Sequence, residues 1–517
     1  MKTSRRKFVG QAAALSAGAA MAAGFGGSAR LWASTPGPSA DRKLIPSEKE
    51  LWDGVVYMNN LGVRFSGSAA HQKFVKYLED GFSSLGMQLD PIEHKAVTRW
   101  DVRNYSLSIA SGANSGRKLP VASYCRYSKT TGPDGVTGQL VYCGKAEGPS
   151  GFSSSVEPGG LRSSPAIPGD LTGKIALVEV VAEPWPYALM YKDHVRGVYN
   201  SDGPSDLPTV QKTATTYGVA RLPMEWNDQL KKSGAAGVIY AYTNLSDDSV
   251  SGQMKGGSEA FSELWVGPTA GAQLRQLATD GGQVKMVVEG DVVPDVPTHT
   301  IVATLPGATD ETIILWTHTD GNNAIEENGG VATLNLMKYF AKLPQSSRKR
   351  TITCVMSEAH FNEQYIPTNK WVKERPELIH KAVAEVAIEH LGCGEWVDDA
   401  KLHYHATGDR ELGFAFCPQE PLADAMLAAL EGTKAGRIAV IDSEVNAFSP
   451  AMWGYRISKV PIIAYISAPP YLLAEATDGY ISKLSSRQFY EQTVAFANVI
   501  HRLDGIPKSS LPGREGN

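Results

Sequence analysis

Histidine and acidic residues follow three separate apolar runs of the chain, at the points where each run ends. These residues are His318, Asp320, Glu358, His360, Glu389 and His390. Imidazole and carboxylate groups bind divalent metal ions and move protons, and clusters of them often mark functional clefts. Their recurrence behind successive apolar runs predicts one cleft that gathers all of them.

The spacing around the first run suggests a use for each group. His318 stands in the pattern His-Thr-Asp, so this histidine can bind a metal ion or substrate while Asp320 orients its ring. A further acidic pair, Glu326 and Glu327, stands just before a helical segment. Acids at that position either bind a metal ion or stabilise the helix N-terminus.

A general base must titrate usefully within a buried cleft. Glu358 and His360 both qualify by their position behind an apolar run, and the sequence leaves the choice between them open. Asp320 completes the predicted catalytic set. His390 and Glu444 are predicted to contact substrate, and His390 and His360 could also supply nitrogen ligands to a metal ion.

Apolar runs of strand length alternate with helical segments from residue 297 onward. The strand-like runs are Thr300–Leu305, Thr312–Thr317, Thr351–Met356, Ala382–Ile388, Arg437–Ile441 and Pro461–Ile466. The helical segments include Gly330–Phe340, Asn369–Lys373, Pro421–Gly432 and Ser486–Leu503. This alternation predicts an α/β fold with a mainly parallel sheet flanked by helices. Such sheets bind ligands at the carboxyl ends of their strands.

The chain before residue 297 shows other patterns of apolar and polar residues. Residues 46–88 carry apolar positions at helical spacing. From about 117 to 295, short β-rich runs alternate with loops rich in Gly, Pro and Ser. We therefore expect a β-rich insert over 117–295, between an N-terminal part at 46–116 and the main α/β part at 296–517.

Residues 297–391 resemble the co-catalytic zinc exopeptidases of the bacterial leucyl aminopeptidase and glutamate carboxypeptidase family. In that family an apolar strand ends in His-x-Asp, an Asp-Asn turn opens a helix, and later strands end in Glu-Glu and in Asp. Gly62–Gly67 resembles the family's N-terminal segment, and Leu171–Val178 with Gly234–Tyr240 resembles its protease-associated domain. The resemblance spans most of residues 46–505 and implies a zinc-exopeptidase-like fold with an inserted protease-associated domain.

The resemblance carries the family's metal ligands onto this chain only in part. A ligand falls on His318, and the bridging Asp falls on Glu326, or on Glu327 if the Glu-Asn pair is the guide. The third-site Asp falls on Glu389. Each glutamate reaches one methylene further than the aspartate it replaces, and such a mixed set suits Zn or a harder ion such as Mn.

The ligands of the family's second ion are missing. The Glu-Glu pair, a general base followed by a ligand, meets Glu358-Ala359 or His360-Phe361 and is incomplete either way, and the last His falls on Ala474. The resemblance therefore implies at most one divalent metal ion, with zinc expected first. A metal-free site is the alternative.

These observations predict an exported hydrolase that cleaves a peptide, amide or ester bond in a small-molecule or peptide substrate. A non-catalytic peptidase-like binding protein and a cyclase, lyase or acyl-transfer reaction on the same fold are the alternatives. Lys and Arg number 50 against 54 Asp and Glu, which gives no support to a nucleic-acid partner. The oligomeric state stays open.

The N-terminus carries an export pattern. Ser4–Val9 contains two adjacent arginines and leads into an apolar stretch rich in Ala and Gly, which predicts a twin-arginine signal peptide over residues 1–33. We expect a periplasmic or secreted mature protein, more acidic than the net charge of −4 of the full chain. No other segment has the roughly 18 apolar residues that a membrane span needs.

Overall fold

The structure is a computed structural model of the 517-residue chain. It describes residues 38–147, 163–212, 226–250, 257–362, 370–473, 475–476 and 478–511. The predicted signal peptide over residues 1–33 lies outside these ranges.

The described residues form strands and helices that we label in chain order. The strands are β1 Gln88–Leu89, β2 Ile92–Ile109, β3 Lys118–Leu119, β4 Ser123–Tyr124, β5 Val136–Glu147, β6 Ile175–Val181, β7 Val195–Asn200, β8 Gly237–Thr243, β9 Ser262–Val266, β10 Gln283–Leu305, β11 Thr312–His318, β12 Thr351–Ser357, β13 Ala382–Ile388, β14 Gly394–Asp398, β15 Tyr404–Arg410, β16 Leu412–Phe416, β17 Arg437–Ile441 and β18 Ile462–Ser467. The helices are α1 Glu48–Asn60, α2 Ala69–Ser84, α3 Tyr187–Met190, α4 Asn227–Lys232, α5 Pro268–Thr279, α6 Asn328–Lys342, α7 Lys370–Glu374, α8 Pro376–Lys381, α9 Glu420–Leu430, α10 Ala451–Ser458 and α11 Ser486–Gly505.

The α/β part is built on one sheet, whose strand order is β10-β12-β11-β13-β18-β16-β17-β7. The central pairs β12–β11, β11–β13 and β13–β18 are parallel, as is β16–β17. The pairs β10–β12, β18–β16 and β17–β7 are antiparallel. The predicted α/β class, with a mainly parallel mixed sheet flanked by helices, is therefore confirmed.

Strands β11, β12 and β13 are nearly continuous apolar runs and are buried along their length. This pattern is expected of parallel strands that are covered on both faces. Helix α6 lies against this sheet and is itself covered by α1 and α2. Two glycines permit that close approach, because a Cβ at Gly54 or at Gly81 would stand 2.7 Å from Val331 or Leu334, respectively.

The β-rich part is joined to the α/β part by two long strands. β2 and β10 pair antiparallel over most of their length, so the predicted run Thr300–Leu305 is only the end of a 23-residue strand. Beyond them, β5, β6, β8 and β9 are parallel neighbours that enclose apolar cores of their own. β7 instead pairs with β17 at the edge of the α/β sheet, so residues 117–295 contribute to both parts.

The helices pack their apolar side chains into these cores. Among the helices of the described ranges, none has the length and hydropathy that crossing a bilayer would require.

Candidate active site

Three neighbouring parallel strands end at the same edge of the sheet. His318 at the end of β11 lies opposite Ser357 of β12, and Trp316 lies opposite Ala387 of β13. The segments that follow these strands therefore meet, as the sequence predicted. The ionisable side chains gathered there, none more than 5% exposed, are His318, Glu326, His360, Glu389 and His390.

Four potential ligand atoms in this cluster face one another. His390 Nε2 lies 3.3 Å from Glu326 Oε2, and His318 Nε2 lies 3.9 Å from the same oxygen and 3.7 Å from Glu389 Oε2. None of these four atoms has a hydrogen-bond partner among the described residues. A buried polar atom without a partner costs about 1–3 kcal/mol, so the arrangement as it stands is unfavourable. A divalent cation would bind such atoms and offset carboxylate charge, so these residues fit a metal ion. Two groups offer ligand atoms that all lie within 4.8 Å of one another, namely His318 with Glu389 and His390, and His318 with Glu326 and His360.

The two histidines are oriented by their other ring nitrogens. His318 Nδ1 lies 2.9 Å from the Asp320 carbonyl oxygen, and His390 Nδ1 lies 2.8 Å from the Ser467 carbonyl oxygen. A carbonyl oxygen only accepts hydrogen bonds, so each Nδ1 must carry the proton and donate it. In a neutral ring, the Nε2 lone pair is then free to bind a metal ion, as in metal sites whose histidines are fixed by such partners.

Asp320 supports the site from behind His318. Its carboxylate accepts hydrogen bonds from the backbone N–H groups of His360, at 2.9 Å, and Phe361, at 2.8 Å, and from the Ser66 hydroxyl at 3.2 Å. Burial would raise the pKa of Asp320, but its hydrogen bonds and the nearby charge of His318 hold that pKa below its usual value. Asp320 is thus an anchoring carboxylate that positions His318 and the 360–361 segment.

The structure gives different surroundings to Glu326 and Glu327, the two adjacent glutamates between which the sequence could not choose a metal ligand. Glu326 turns both of its carboxylate oxygens into the cluster, where neither has a hydrogen-bond partner among the described residues. Glu327 forms a buried ion pair with Arg64, which also donates to the Asn323 carbonyl oxygen. Of the two glutamates, Glu326 is the one among the possible ligand groups of the described residues. Glu327 fixes the loop that carries it.

Glu358 and His360, the two candidate bases, also have different surroundings. The Glu358 carboxylate accepts a hydrogen bond from the Thr300 hydroxyl and lies 3.0 Å from His94 Nε2, whose Nδ1 lies 3.1 Å from Lys370 Nζ. His360 instead lies against His318, with 4.5 Å between ring centroids, and belongs to the possible ligand groups. Of the two candidate bases, His360 is the one among the ligand atoms.

Glu444 and His390, both predicted to contact substrate, lie in different surroundings. Glu444 is a partly exposed residue that pairs with Arg456 at 3.4 Å, and it is not among the possible ligand groups of the described chain. His390, predicted to contact substrate, stands inside the cluster itself. Ala474, onto which the resemblance places the family's last histidine, lies outside the described residues.

The electrostatics of the cluster favour a positive charge at its centre. Burial would lower the pKa of His318, yet the surrounding carboxylates, Asp320 first, raise it to about 9. Burial raises the pKa of Glu389, which His390, His318 and the Ser449 hydroxyl oppose. The acids thus stabilise a cation in their midst, which a proton on His318 or a metal ion can supply.

Sequence reasoning missed three supporting residues. Arg64 falls within the segment Gly62–Gly67 that resembles the family's N-terminal part, but its pairing with Glu327 spans 263 positions of sequence. Asn328 follows the glutamate pair, and its amide binds the backbone of Leu391. Ser449 donates to Glu389 at 2.7 Å, and no local sequence signal distinguishes it from other serines.

Comparison with models of known protein families and with curated proteins gave no match. Solved structures do match over most of the chain. One is a peptidase M28 precursor from Shewanella amazonensis, with 17% identity, 89% of this chain and 94% of that chain covered, and a TM-score of 0.60.

Two further matches are named as aminopeptidases. A zinc aminopeptidase from Bacillus subtilis shares 12% identity over 88% of this chain and 95% of its own, with a TM-score of 0.56. An aminopeptidase from an Aneurinibacillus species shares 17% identity over 88% of this chain and 93% of its own, with a TM-score of 0.53. At such identities the likeness concerns the fold, and this chain has the fold of the zinc aminopeptidases.

Proposed function

We propose that the protein is a metal-dependent hydrolase that cleaves a peptide, amide or ester bond with one divalent ion. The observation that carries this proposal is the convergence of buried ligand atoms of His318, Glu326 and Glu389 without hydrogen-bond partners. Zinc is the first candidate, because imidazole and carboxylate ligands suit it and two structures of the same fold are of a zinc aminopeptidase.

The side chains around this centre would divide the chemistry among them. A bound divalent ion would polarise the substrate carbonyl and lower the pKa of a water molecule. His360 would take the proton of that water and return it to the leaving group. Asp320 would hold His360 in place through the backbone N–H groups of the 360–361 segment.

His360 is 5% exposed, whereas His318 and Glu389 are fully buried, so His360 is the least buried of these three side chains. The Glu358 carboxylate, held by Thr300 and His94, would be a support of this segment.

The experiment measures metal content and activity together. Protein purified without chelator is analysed for bound metal and assayed on panels of peptides, amides and esters, before and after chelation and after re-addition of zinc or manganese. We expect about one ion per chain and activity that chelation removes and metal restores. Two ions per chain would contradict the single site, and chelator-resistant activity without bound metal would indicate a metal-free enzyme.

A binding protein with the same fold would be recognised in the same assays. It would retain the ion, or bind peptide, without turnover of any substrate in the panel. Substitution of His360 by Gln would then change no rate, whereas in a hydrolase it removes the proposed base.

We also propose that the protein acts outside the cytoplasm, since Arg5 and Arg6 precede an apolar stretch in the twin-arginine pattern. Fractionation of cells that express the full chain tests this. Substitution of both arginines by Lys should retain the protein in the cytoplasm.

A further inference from the structure

We propose that His390 is a fourth protein ligand of the ion, so that two imidazoles and two carboxylates surround it. This inference rests on the proposed metal site. It goes beyond that site by adding a ligand at a position where the fold resemblance supplies none. The sequence left open whether His390 contacts substrate or supplies a nitrogen ligand, and the proposal chooses the second role.

Three separations between the ligand atoms are close to those of a four-coordinate zinc site. Zinc bonds of about 2.0–2.2 Å place the ligand atoms of a tetrahedron about 3.3–3.6 Å apart. The closest pair here, His390 Nε2 and Glu326 Oε2, is separated by 3.3 Å. The two separations from His318 Nε2, to Glu389 Oε2 and to Glu326 Oε2, are 3.7 and 3.9 Å. These three separations are close to that range, and His318, Glu389 and His390 together offer ligand atoms that all lie within 4.8 Å of one another.

The His390 ring is aimed at the cluster and is buried. Its side chain is 3% exposed, and its Nε2 has no hydrogen-bond partner among the described residues. Its Nδ1 donates to the Ser467 carbonyl oxygen at the end of β18. The ring is thus prepared to bind a metal ion in the same manner as His318, whose Nδ1 donates to the Asp320 carbonyl oxygen.

The backbone at His390 takes a specific conformation to achieve this. His390 has a φ of +60°, in the left-handed region that residues other than Gly, Asn, Asp and His rarely adopt. Leu391, the next residue, is bound on both its N–H and its carbonyl by the Asn328 side chain. The turn after β13 therefore bends so that Glu389 and His390, adjacent in sequence, both reach the same centre.

Two imidazoles in the set affect the choice of metal. Nitrogen ligands favour zinc, cobalt and other later transition metals over magnesium and manganese, which prefer oxygen. Water or a substrate oxygen would have to join these four side chains at the ion for the ion to act on it.

The test counts imidazole ligands and measures metal affinity, neither of which depends on turnover. X-ray absorption of the zinc-loaded wild-type protein should show two imidazole ligands. Zinc affinity is then measured by competition with a chromophoric chelator for wild type, His390→Gly and His390→Asn, because Gly and Asn both tolerate a positive φ. His405→Ala, at an exposed histidine of β15, is the control.

We expect both His390 variants to bind zinc at least about 10-fold more weakly, given that even residues behind the ligands change affinity about 10–100-fold. His405→Ala should bind zinc as the wild type does. One imidazole in the wild-type spectrum, or unchanged affinity in folded variants, would overturn the role of His390 and leave a three-ligand site. A wild-type protein that binds no zinc or cobalt would refute the proposed function and this inference together.

Discussion

The side chain of Asn328 binds both polar groups of the Leu391 backbone. The Leu391 N–H donates to Asn328 Oδ1 and the Asn328 amide donates to the Leu391 carbonyl oxygen, both at 2.9 Å. The same amide donates to the Ala324 carbonyl oxygen at 3.1 Å. One buried residue at the start of α6 thus joins the loop that carries Glu326 to the turn that carries His390.

Replacement of Asn328 by Ala should loosen both segments at once. The Leu391 N–H and carbonyl would be buried without partners, at a cost of about 1–3 kcal/mol for each group left unsatisfied. We expect a lower free energy of unfolding in urea and weaker zinc binding. Asn335→Ala is the matched control, because Asn335 is a buried asparagine of the same helix whose amide donates within the helix, to the Val331 carbonyl oxygen. Equal loss of zinc affinity in both variants would contradict the role of Asn328.

His360→Gln should lower kcat by about 10²- to 10⁴-fold, the usual contribution of a general base. The bound zinc should be retained, because His360 is not one of the four proposed ligands. Glu358→Gln should act mainly on stability, since the Glu358 carboxylate is held by Thr300 and His94. The comparison uses steady-state kinetics with metal analysis of the same samples. If Glu358→Gln abolishes turnover and His360→Gln does not, the two roles are reversed.

The strand ends at His318, Glu358 and Glu389 could be predicted because a buried parallel strand leaves a local apolar pattern that stops where the strand stops. The direction of each side chain beyond those ends could not. Glu326 and Glu327 are chemically identical neighbours, and Arg64 on a distant segment decides which of them is neutralised. Loop conformation depends on such long-range partners, whereas strand formation depends on the local run of residues.

The Arg64–Glu327 pair is fully buried, so loss of one partner should be costly. Arg64→Met or Glu327→Gln alone leaves a buried charge without its counterion, which typically costs about 3–5 kcal/mol. The double variant should recover part of that loss, because neither charge then remains. Urea unfolding of the four proteins in a double-mutant cycle measures the coupling. Additive losses would mean that the pair does not act as a unit.

A buried acid of the β-rich part should make stability depend on pH. Glu263 is fully buried in the β-rich part, where it accepts hydrogen bonds from the Tyr240 hydroxyl at 3.0 Å and the Ser258 N–H at 2.8 Å. Burial raises the pKa of Glu263 to about 8, although these two hydrogen bonds oppose the shift. The folded protein therefore keeps a proton on Glu263 at neutral pH, while the unfolded chain releases it near its ordinary pKa of about 4.3.

The sign of the effect follows from the proton count. Between about pH 4.5 and pH 8 the folded state holds one more proton than the unfolded state, so stability falls as pH rises, by up to about 1.4 kcal/mol per pH unit from this group. Glu263→Gln removes this contribution, so the variant should gain stability relative to wild type between pH 5 and pH 8. Thermal melts of wild type and variant across that range measure the difference in their stability. Other buried acids contribute equally to both proteins, so their contributions cancel in this difference. Glu444→Gln, at a partly exposed glutamate, is the control, and a difference for Glu263→Gln that stays constant with pH would contradict the prediction.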